Sequence, residues 1–316
     1  MEWDPKLAVV AIGGNATFPP HIKGTAEEQF EIVGRTCVHL ARMIQMGFRL
    51  VLTHGNGPVI GNILIRMEMA RHRISPMPMD ICVADSQGGI GYIIQNCLMN
   101  RLRQLEISHP VVSLITQVEV RADDPAFQNP SKPIGPFYTQ EEAERIARQT
   151  RWEFREDAGR GYRRMVPSPQ PVAILEIEAI RELVGTGAIP IAAGGGGIPV
   201  VRHSDGGFRG VAAVIDKDLA SALLAVGLRA GIFLILTGVD RVALDFGKPS
   251  QRFLSSLTAG EARAHLEAGQ FPEGSMRPKI EAALRYLDGE GKTVIITSLE
   301  RSVDALDGGA GTRVLP

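Results

Sequence analysis

The sequence lacks an excess of charge of either sign. Its 316 residues carry 34 lysines and arginines against 35 aspartates and glutamates, a formal net charge of -1. Such a protein has no general attraction for nucleic acid or for an anionic membrane surface. Charged residues make up 22% and hydrophobic residues 44% of the chain, as in ordinary globular proteins. Any anion site must therefore be a local cluster.

Cysteines and long apolar runs are also scarce. The three cysteines, Cys37, Cys82 and Cys97, form no CxxC motif and cannot all pair, so reduced thiols are expected. The most apolar stretch, 222–236, is interrupted by Arg229 and is too short to cross about 30 Å of hydrocarbon. The first residues lack the basic region of a signal peptide. We therefore expect a cytoplasmic protein without a membrane span.

Motifs of several enzyme classes are missing as well. The chain has no GxxxxGK[ST] loop, and the glycine runs at Gly55 and Gly194 do not complete the GxGxxG pattern, which leaves a dinucleotide oxidoreductase unsupported. No His or Cys residues lie at zinc-ligand spacing, and GxSxG is absent. We therefore expect no P-loop, no transition-metal centre and no hydrolase triad.

Glycine, in contrast, is abundant: 35 residues, about 11% of the chain against a usual 7%. The glycines cluster where apolar runs stop, which predicts tight loops at strand ends whose backbone N–H groups can converge on an anion. The clusters are Gly13–Gly14, Gly55/Gly57/Gly61, Gly88/Gly89/Gly91, Gly194–Gly197 and Gly206/Gly207/Gly210.

Short apolar runs without alternation precede three of these clusters, as expected for strands covered on both faces. Residues 27–46 lie between the first two runs and place apolar side chains at helical spacing. Repetition of this βαβ order predicts an α/β fold, a three-layer helix-sheet-helix sandwich with a mainly parallel central sheet. The predicted strands are 7–12, 48–53, 188–193, 232–236 and 293–297, and further helices are predicted at 216–226, 259–268 and 279–287.

Residues 120–171, which we call the insert, break this pattern. Seven prolines bracket a polar helix at 141–149 and an Arg-rich stretch that ends at Arg164. The arginines could suggest contact with RNA, but the charges at 141–151 are typical of a solvated helix face. We interpret the insert as an excursion from the sheet.

Two features suggest a site for phosphate. The segment from Thr53 to Pro58 joins a predicted strand to an apolar helical pattern, and Pro58 suits the first helical position, so a helix N-terminus would point at an anion. Lys132, Lys217 and Lys279 are set among prolines or carboxylates that can hold an ammonium group in place. Spacing alone does not show that the three lysines meet.

With these residues the sequence resembles the carbamate kinases of the amino-acid kinase superfamily, along essentially its whole length. The similar segments are AIGGNA (11–16), LTHGNGP (52–58), SQGGIGY (86–92), DPAF (124–127), KPIGPFY (132–138), DAGRGYRR (157–164), GGGGIPV (194–200), VIDKD (214–218), FGKP (246–249) and GSM (274–276).

The resemblance implies reversible phosphoryl transfer between ATP and carbamate, giving ADP and carbamoyl phosphate, commonly run toward ATP synthesis in catabolism such as that of arginine. It implies Mg²⁺ held through the nucleotide phosphates, with no protein metal site. It implies a cytoplasmic homodimer without nucleic-acid or membrane partners. It also implies a single amino-acid kinase domain over 1–316, with a carbamate-side lobe of about 1–210, a nucleotide-side lobe of about 211–316 and the insert as a protruding lid.

The resemblance also assigns roles to individual residues. Lys217 and Lys279 would contact phosphate and be oriented by Asp216, and Lys132 would reach the site from the insert. The phosphoryl path would be lined by Gly13, Gly14 and Asn15, and the carbamate side by Gly55, Asn56 and Gly57. The neighbours of the nucleotide would be Lys217, Asp218, Asp240, Phe246, Met276 and Lys279.

Two positions depart from the family pattern. Arg277 replaces a glycine before Pro-Lys, where it would add a phosphate contact, or crowd the loop if the position needs a positive φ. Asp85 would bring an acidic group near the acceptor or would cap a helix. Two other functions therefore stay open: phosphorylation of another small carboxylate, and nucleotide binding without turnover. The three lysines argue against the second.

Overall fold

The computed structural model describes residues 2–19, 24–150, 152–157, 159, 161–272 and 274–316, without the side chains of Asn15 and Pro136. The helices in these residues are α1 (Ala26–Gln45), α2 (Gly57–Ala70), α3 (Met79–Gln104), α4 (Gln140–Thr150), α5 (Ile177–Gly185), α6 (Lys217–Gly227), α7 (Ala259–Glu267), α8 (Arg277–Asp288) and α9 (Ser302–Leu306). The strands are β1 (Asp4–Ile12), β2 (Arg49–His54), β3 (Val111–Ser113), β4 (Gln117–Val120), β5 (Lys132–Tyr138), β6 (Glu153–Glu156), β7 (Tyr162–Val166), β8 (Pro171–Ile174), β9 (Ile189–Ile191), β10 (Ile198–Arg202), β11 (Phe208–Gly210), β12 (Ala230–Thr237), β13 (Ala243–Leu244), β14 (Arg252–Phe253), β15 (Ser256–Thr258), β16 (Thr293–Ser298) and β17 (Thr312–Leu315). Within the described ranges, no helix is both long and apolar enough to cross a membrane.

The central sheet has the strand order β15-β17-β16-β12-β1-β2-β9-β3. Every neighbouring pair is parallel except β16 and β17, so the predicted mainly parallel sheet is confirmed. The predicted strands and helices are all present, with ends that differ by at most three residues. The edge strands β3 and β15 and the short strand β17 beside β15 were not predicted, because three or four residues give too little periodicity to read.

Helices cover both faces of the sheet. On β1, Val9 and Ala11 join the apolar cluster that includes buried residues of α5, α6, α7 and α8. Val10 and Ile12 point to the other face, where α1, α3 and α9 pack. All four side chains are fully buried, and successive strand residues point to opposite faces. The predicted three-layer sandwich is confirmed.

Helix α3 corrects one expectation. Gly88, Gly89 and Gly91 lie inside this helix, so the loop predicted there is wrong. Glycine disfavours a helix by about 1 kcal/mol relative to alanine. Close packing explains Gly91, because a Cβ at this position would overlap Ser113 of β3. Asp85 is exposed in the interior of the same helix and so does not cap one.

The insert lies between β4 and β8, which pair antiparallel in a second sheet of order β11-β10-β4-β8. It forms its own three-stranded sheet, β5-β7-β6, and α4 buries Ala143 and Ile146 beside it. Ile134 and Val166 of the insert pack against Val214, three residues before α6. The insert therefore reaches the segment that leads into Lys217, while its division from the rest as a lid stays a prediction.

Candidate active site

The loops that follow neighbouring parallel strands meet at one edge of the central sheet. Gly14 follows β1, Gly55 follows β2, and α6 begins beside them at Lys217. A Cβ on Gly55 would lie 3.4 Å from the backbone nitrogen of Gly14 and 3.8 Å from Cδ of Lys217. The carboxyl ends of parallel strands are the usual ligand-binding edge of such sheets.

Two of the three lysines share one carboxylate. Nζ of Lys217 lies 2.5 Å from Oδ1 of Asp218, and Nζ of Lys279 lies 3.0 Å from Oδ2. Lys279 comes from the first turn of α8, 61 residues along the chain. The structure therefore brings these two lysines, distant in sequence, to a single point.

Burial makes this cluster strongly coupled. The Asp218 side chain is only 5% exposed, and the two lysine side chains are 14% and 16% exposed. Burial alone raises the pKa of Asp218, but the attraction and hydrogen bonds of the two ammonium groups outweigh it and hold that pKa well below its usual range. Asp218 is therefore ionised, and the cluster carries a net positive charge.

Lys132 of the insert reaches the same edge. Its Nζ lies 2.9 Å from Oδ2 of Asp216, the residue before α6. The other oxygen of Asp216 accepts a hydrogen bond from the backbone N–H of Asp218 at 2.9 Å and caps the helix. The contacts thus differ from the expectation that Asp216 orients Lys217 and Lys279: Asp216 holds Lys132, and Asp218 holds the other two.

Two cavities adjoin this cluster. One, of about 130 Å³, is lined by Lys132, Lys217 and the Gly55–Gly57 loop, and we call it the Lys132 cavity. The other, of about 310 Å³, is lined by Gly13, Gly14, Gly274, Ser275 and Lys279, and we call it the Lys279 cavity. Lys217 lines one cavity and Lys279 the other, and both bind Asp218, so one carboxylate links a lysine of each cavity.

Helix α2 presents its N-terminus to the Lys132 cavity. Asn56 occupies the N-cap position without making a side-chain cap, so N–H groups of the first turn are left for an anion. His54 lies beneath this loop, fully buried, with Nδ1 3.1 Å from the carbonyl oxygen of Gly55. Burial lowers the pKa of His54 to about 4, opposed by that hydrogen bond and reinforced by the charge of Lys217. A neutral imidazole therefore supports the loop.

Sequence reasoning missed the buried polar residues that hold the loop at 194–197. Nε2 of Gln87 donates to the carbonyl oxygens of Thr116 and Gly194, at 3.1 and 3.0 Å, and its Oε1 accepts from the N–H of Thr116. The available signal was Ser86-Gln87 on the stripe of α3 that otherwise buries Val83 and Ile90. Two polar residues on a buried stripe indicate an internal network.

The other described residues predicted for the site do not line the Lys132 or the Lys279 cavity. Met276 packs, partly buried, against the core next to Ser275. Asp240 lines a third cavity, and its Oδ1 accepts a hydrogen bond from the hydroxyl of Ser298. Phe246 is 62% exposed and lines neither the Lys132 nor the Lys279 cavity. The side chain of Asn15 lies outside the described part of the chain.

Arg277 does not require the positive φ considered for it, and it lines neither the Lys132 nor the Lys279 cavity. It is the first residue of α8, with no positive φ, and its Nε donates to Glu281 one helical turn later at 2.9 Å. Its charge is thus paired along the helix surface.

Comparison with known proteins agrees with this geometry. The profile of the amino acid kinase family matches residues 6–298. The carbamate kinase of Pyrococcus furiosus is 47% identical over 98% of this chain and 99% of its own length, and that of Staphylococcus haemolyticus is 48% identical over 97% and 98%. The structure of carbamate kinase from Giardia lamblia bound to AMP-PNP is 39% identical, covers 98% of both chains and superposes with a TM-score of 0.92. The chain belongs to the amino acid kinase family and, within it, to the carbamate kinases.

Proposed function

We propose that this chain catalyses reversible phosphoryl transfer between ATP and carbamate, giving ADP and carbamoyl phosphate. The observation that carries the proposal is that Lys217 and Lys279, each lining a different cavity, pair with one buried carboxylate. The smaller cavity suits a small anion, and the larger one suits the phosphates of a nucleotide.

In this proposal the phosphoryl group passes between the cavities, over the loops at Gly13–Gly14 and Gly55–Gly57. Lys279 binds phosphate on the nucleotide side, Lys217 binds the migrating group, and Lys132 binds the acceptor side. Fixed cations and helix N–H groups stabilise the charge on the transferring oxygens without reorganising during the reaction. Asp218 and Asp216 keep the ammonium groups in place.

The chemistry requires no catalytic base among the side chains. Carbamate carries an anionic oxygen that can attack phosphorus directly, so no proton has to be removed from the acceptor. The work left to the protein is to bring an anion up to a polyphosphate and to align the two. The insert, which supplies Lys132, would act as the lid that closes over the reactants and excludes water.

Mg²⁺ is part of the proposal as a companion of the nucleotide. In the described residues no group of three or more His, Cys, Asp or Glu side chains is arranged to hold a metal. Mg²⁺ commonly keeps several waters and binds through substrate phosphates, and in this proposal the nucleotide brings the ion. When bound, the ion would neutralise negative charge on the phosphates of the nucleotide.

Further parts of the proposal follow from the family resemblance. The nucleotide would lie near Asp240, Phe246 and Met276, with its phosphates toward Lys217, Asp218 and Lys279. The enzyme would work as a cytoplasmic homodimer, mainly toward ATP synthesis in catabolism such as that of arginine. Gel filtration with light scattering tests the dimer.

The proposal is tested by mixing the purified chain with carbamoyl phosphate, ADP and Mg²⁺ and recording ATP formation with luciferase. We expect turnover that requires all three components, and a kcat lower by roughly 10²–10³ in a folded Lys217→Met variant. A correctly folded wild-type protein that binds AMP-PNP but forms no ATP from carbamoyl phosphate would overturn the proposal.

A further inference from the structure

The Lys132 cavity is lined by a side chain that can accept a hydrogen bond, in addition to its two lysines. Among the described residues that line it, the polar side chains are Lys132, Lys217 and Asn56, and the rest of the lining is glycine, proline or aliphatic. The lysines can only donate hydrogen bonds. Asn56 is therefore the side chain in this cavity that can accept one.

The orientation of the Asn56 amide is fixed by Ser86. The hydroxyl of Ser86 donates its only proton to the carbonyl oxygen of Val83 at 2.6 Å. Its oxygen can then only accept, and it lies 2.9 Å from Nδ2 of Asn56. Both side chains are buried, 5% and 0% exposed. The NH₂ group of Asn56 therefore faces Ser86, and Oδ1 is left for another donor.

Two further observations show that this orientation is imposed. Asparagine is among the best helix N-caps, yet at the N-cap of α2 its side chain makes no capping bond. Gly195 backs the amide closely, since a Cβ there would overlap it. Among the side-chain hydrogen bonds of the described residues, Asn56 takes part in the one to Ser86, through Nδ2.

We propose that Asn56 determines acceptor specificity, with Oδ1 accepting a hydrogen bond from the N–H of the substrate and Ser86 acting as the positioning residue. This inference rests on the proposed function. Carbamoyl phosphate has an NH₂ group where acetyl phosphate has a methyl group, and their oxygens are alike. Cations that bind oxygens cannot tell the two compounds apart. An unpaired acceptor facing a methyl group rejects the second compound, because its desolvation is not compensated.

The test is a ratio of kcat/KM for carbamoyl phosphate to kcat/KM for acetyl phosphate, each with ADP. We expect Asn56→Leu, which keeps the branching at Cγ and removes the acceptor, to lower this ratio by on the order of 100-fold. If turnover of acetyl phosphate is too slow to measure, the inhibition constant of acetyl phosphate in the reaction with carbamoyl phosphate is used in place of its kcat/KM. An equal fall for both compounds overturns the inference. Unchanged AMP-PNP affinity and melting temperature establish that the variant is folded.

Ser86 provides a second measurement. Ser86→Ala frees the amide to turn its NH₂ group into the cavity, and we expect the ratio to fall roughly 10-fold. Ser86→Thr keeps the hydroxyl and should restore the ratio to within about threefold of wild type, whereas a merely structural role of Ser86 predicts similar ratios in both variants.

A wild-type protein that makes no ATP from carbamoyl phosphate contradicts the proposed function. An active wild type with an unchanged ratio in Asn56→Leu contradicts only this inference.

Discussion

The cations of the site come from two regions that are built differently. Lys217 and Lys279 belong to helices packed on the central sheet and share the nearly buried Asp218. Lys132 belongs to the insert and is paired with Asp216, where the side chains are 29% and 23% exposed. One half of the site is thus assembled within the core, and the other half depends on how the insert docks.

Because of this difference, removing a charge should affect folding stability differently in the two regions, while it affects phosphoryl transfer similarly. A charge removed from a buried pair leaves its partner uncompensated in a low dielectric, whereas an exposed pair is screened by water. The two regions should therefore contribute similarly to phosphoryl transfer but very differently to folding. Variants that remove one charge at a time measure both contributions.

The largest effect is expected from Asp218→Asn. This substitution keeps the size of the side chain but leaves two ammonium groups side by side without a counter-charge. We expect the free energy of unfolding to fall by about 3–5 kcal/mol, measured by urea denaturation at pH 7.

Asp216→Asn is the matched control, because asparagine caps a helix as well as aspartate does and only the ion pair with Lys132 is lost. Its cost should stay near or below about 1 kcal/mol. Equal destabilisation by the two variants would show that the comparison between the regions is wrong.

The second prediction concerns turnover. Replacing Lys132, Lys217 or Lys279 with methionine should each raise the barrier by about 2.7–4 kcal/mol, a fall of roughly 10²–10³ in kcat for ATP formation. The three variants should differ in stability, with Lys132→Met closest to wild type in urea. A Lys132→Met enzyme with near-normal kcat would show that the insert contributes no catalytic charge.

A third prediction concerns how folding stability depends on pH through His54, which lies in the half of the site that is assembled within the core. Burial lowers the pKa of His54 from 6.5 to about 4. Below pH 6.5 the unfolded chain therefore binds a proton that the folded chain refuses, and stability falls as the pH drops toward 4. The total loss from this group is about 3 kcal/mol at 1.36 kcal/mol per pKa unit.

His54→Gln removes this titration. Between pH 7 and 4 the variant should lose less stability than wild type, and comparing the two losses cancels the contribution of carboxylates common to both. Parallel curves for wild type and variant would contradict a neutral, buried His54.

The sequence was enough to predict the sandwich because its central strands are buried on both faces and its crossover helix is strongly amphipathic. It failed at α3, where Gly88, Gly89 and Gly91 were taken as loop formers although all three lie inside the helix. Packing against Ser113 of β3 explains Gly91, whereas a Cβ on Gly88 or Gly89 would meet no neighbour. Local preference predicts a loop for such a cluster, and only the packing partner, distant in sequence, decides otherwise.

At the site, too, the sequence could not show which residues distant along the chain are in contact. Asp216 and Asp218 both lie next to Lys217 in sequence, so spacing could not tell which one reaches Lys279. The helix start decides, because the N-cap side chain turns back onto the backbone N–H while the carboxylate two residues later extends to α8. The pairing of Arg277 with Glu281, in contrast, was readable as an i, i+4 spacing.

The smallest expected effect probes how the insert docks on α2. Trp152 of the insert packs against two guanidinium groups, with Cζ of Arg164 3.7 Å and Cζ of Arg71 5.8 Å from its ring. Arg71 is the residue at the end of α2, so its contact with Trp152 joins the insert to the rest of the molecule.

Arg71→Ala should lower the free energy that holds the insert docked by about 0.5–1 kcal/mol. Hydrogen exchange of amides in β5 and β7 should then accelerate about two- to fivefold, while β1 and β2 keep wild-type rates. Arg73→Ala, at an exposed position two residues on, is the control and should change neither set. Equal acceleration in β1 and β5 would mean that the insert opens only with the whole molecule, and the two regions would then be one cooperative unit.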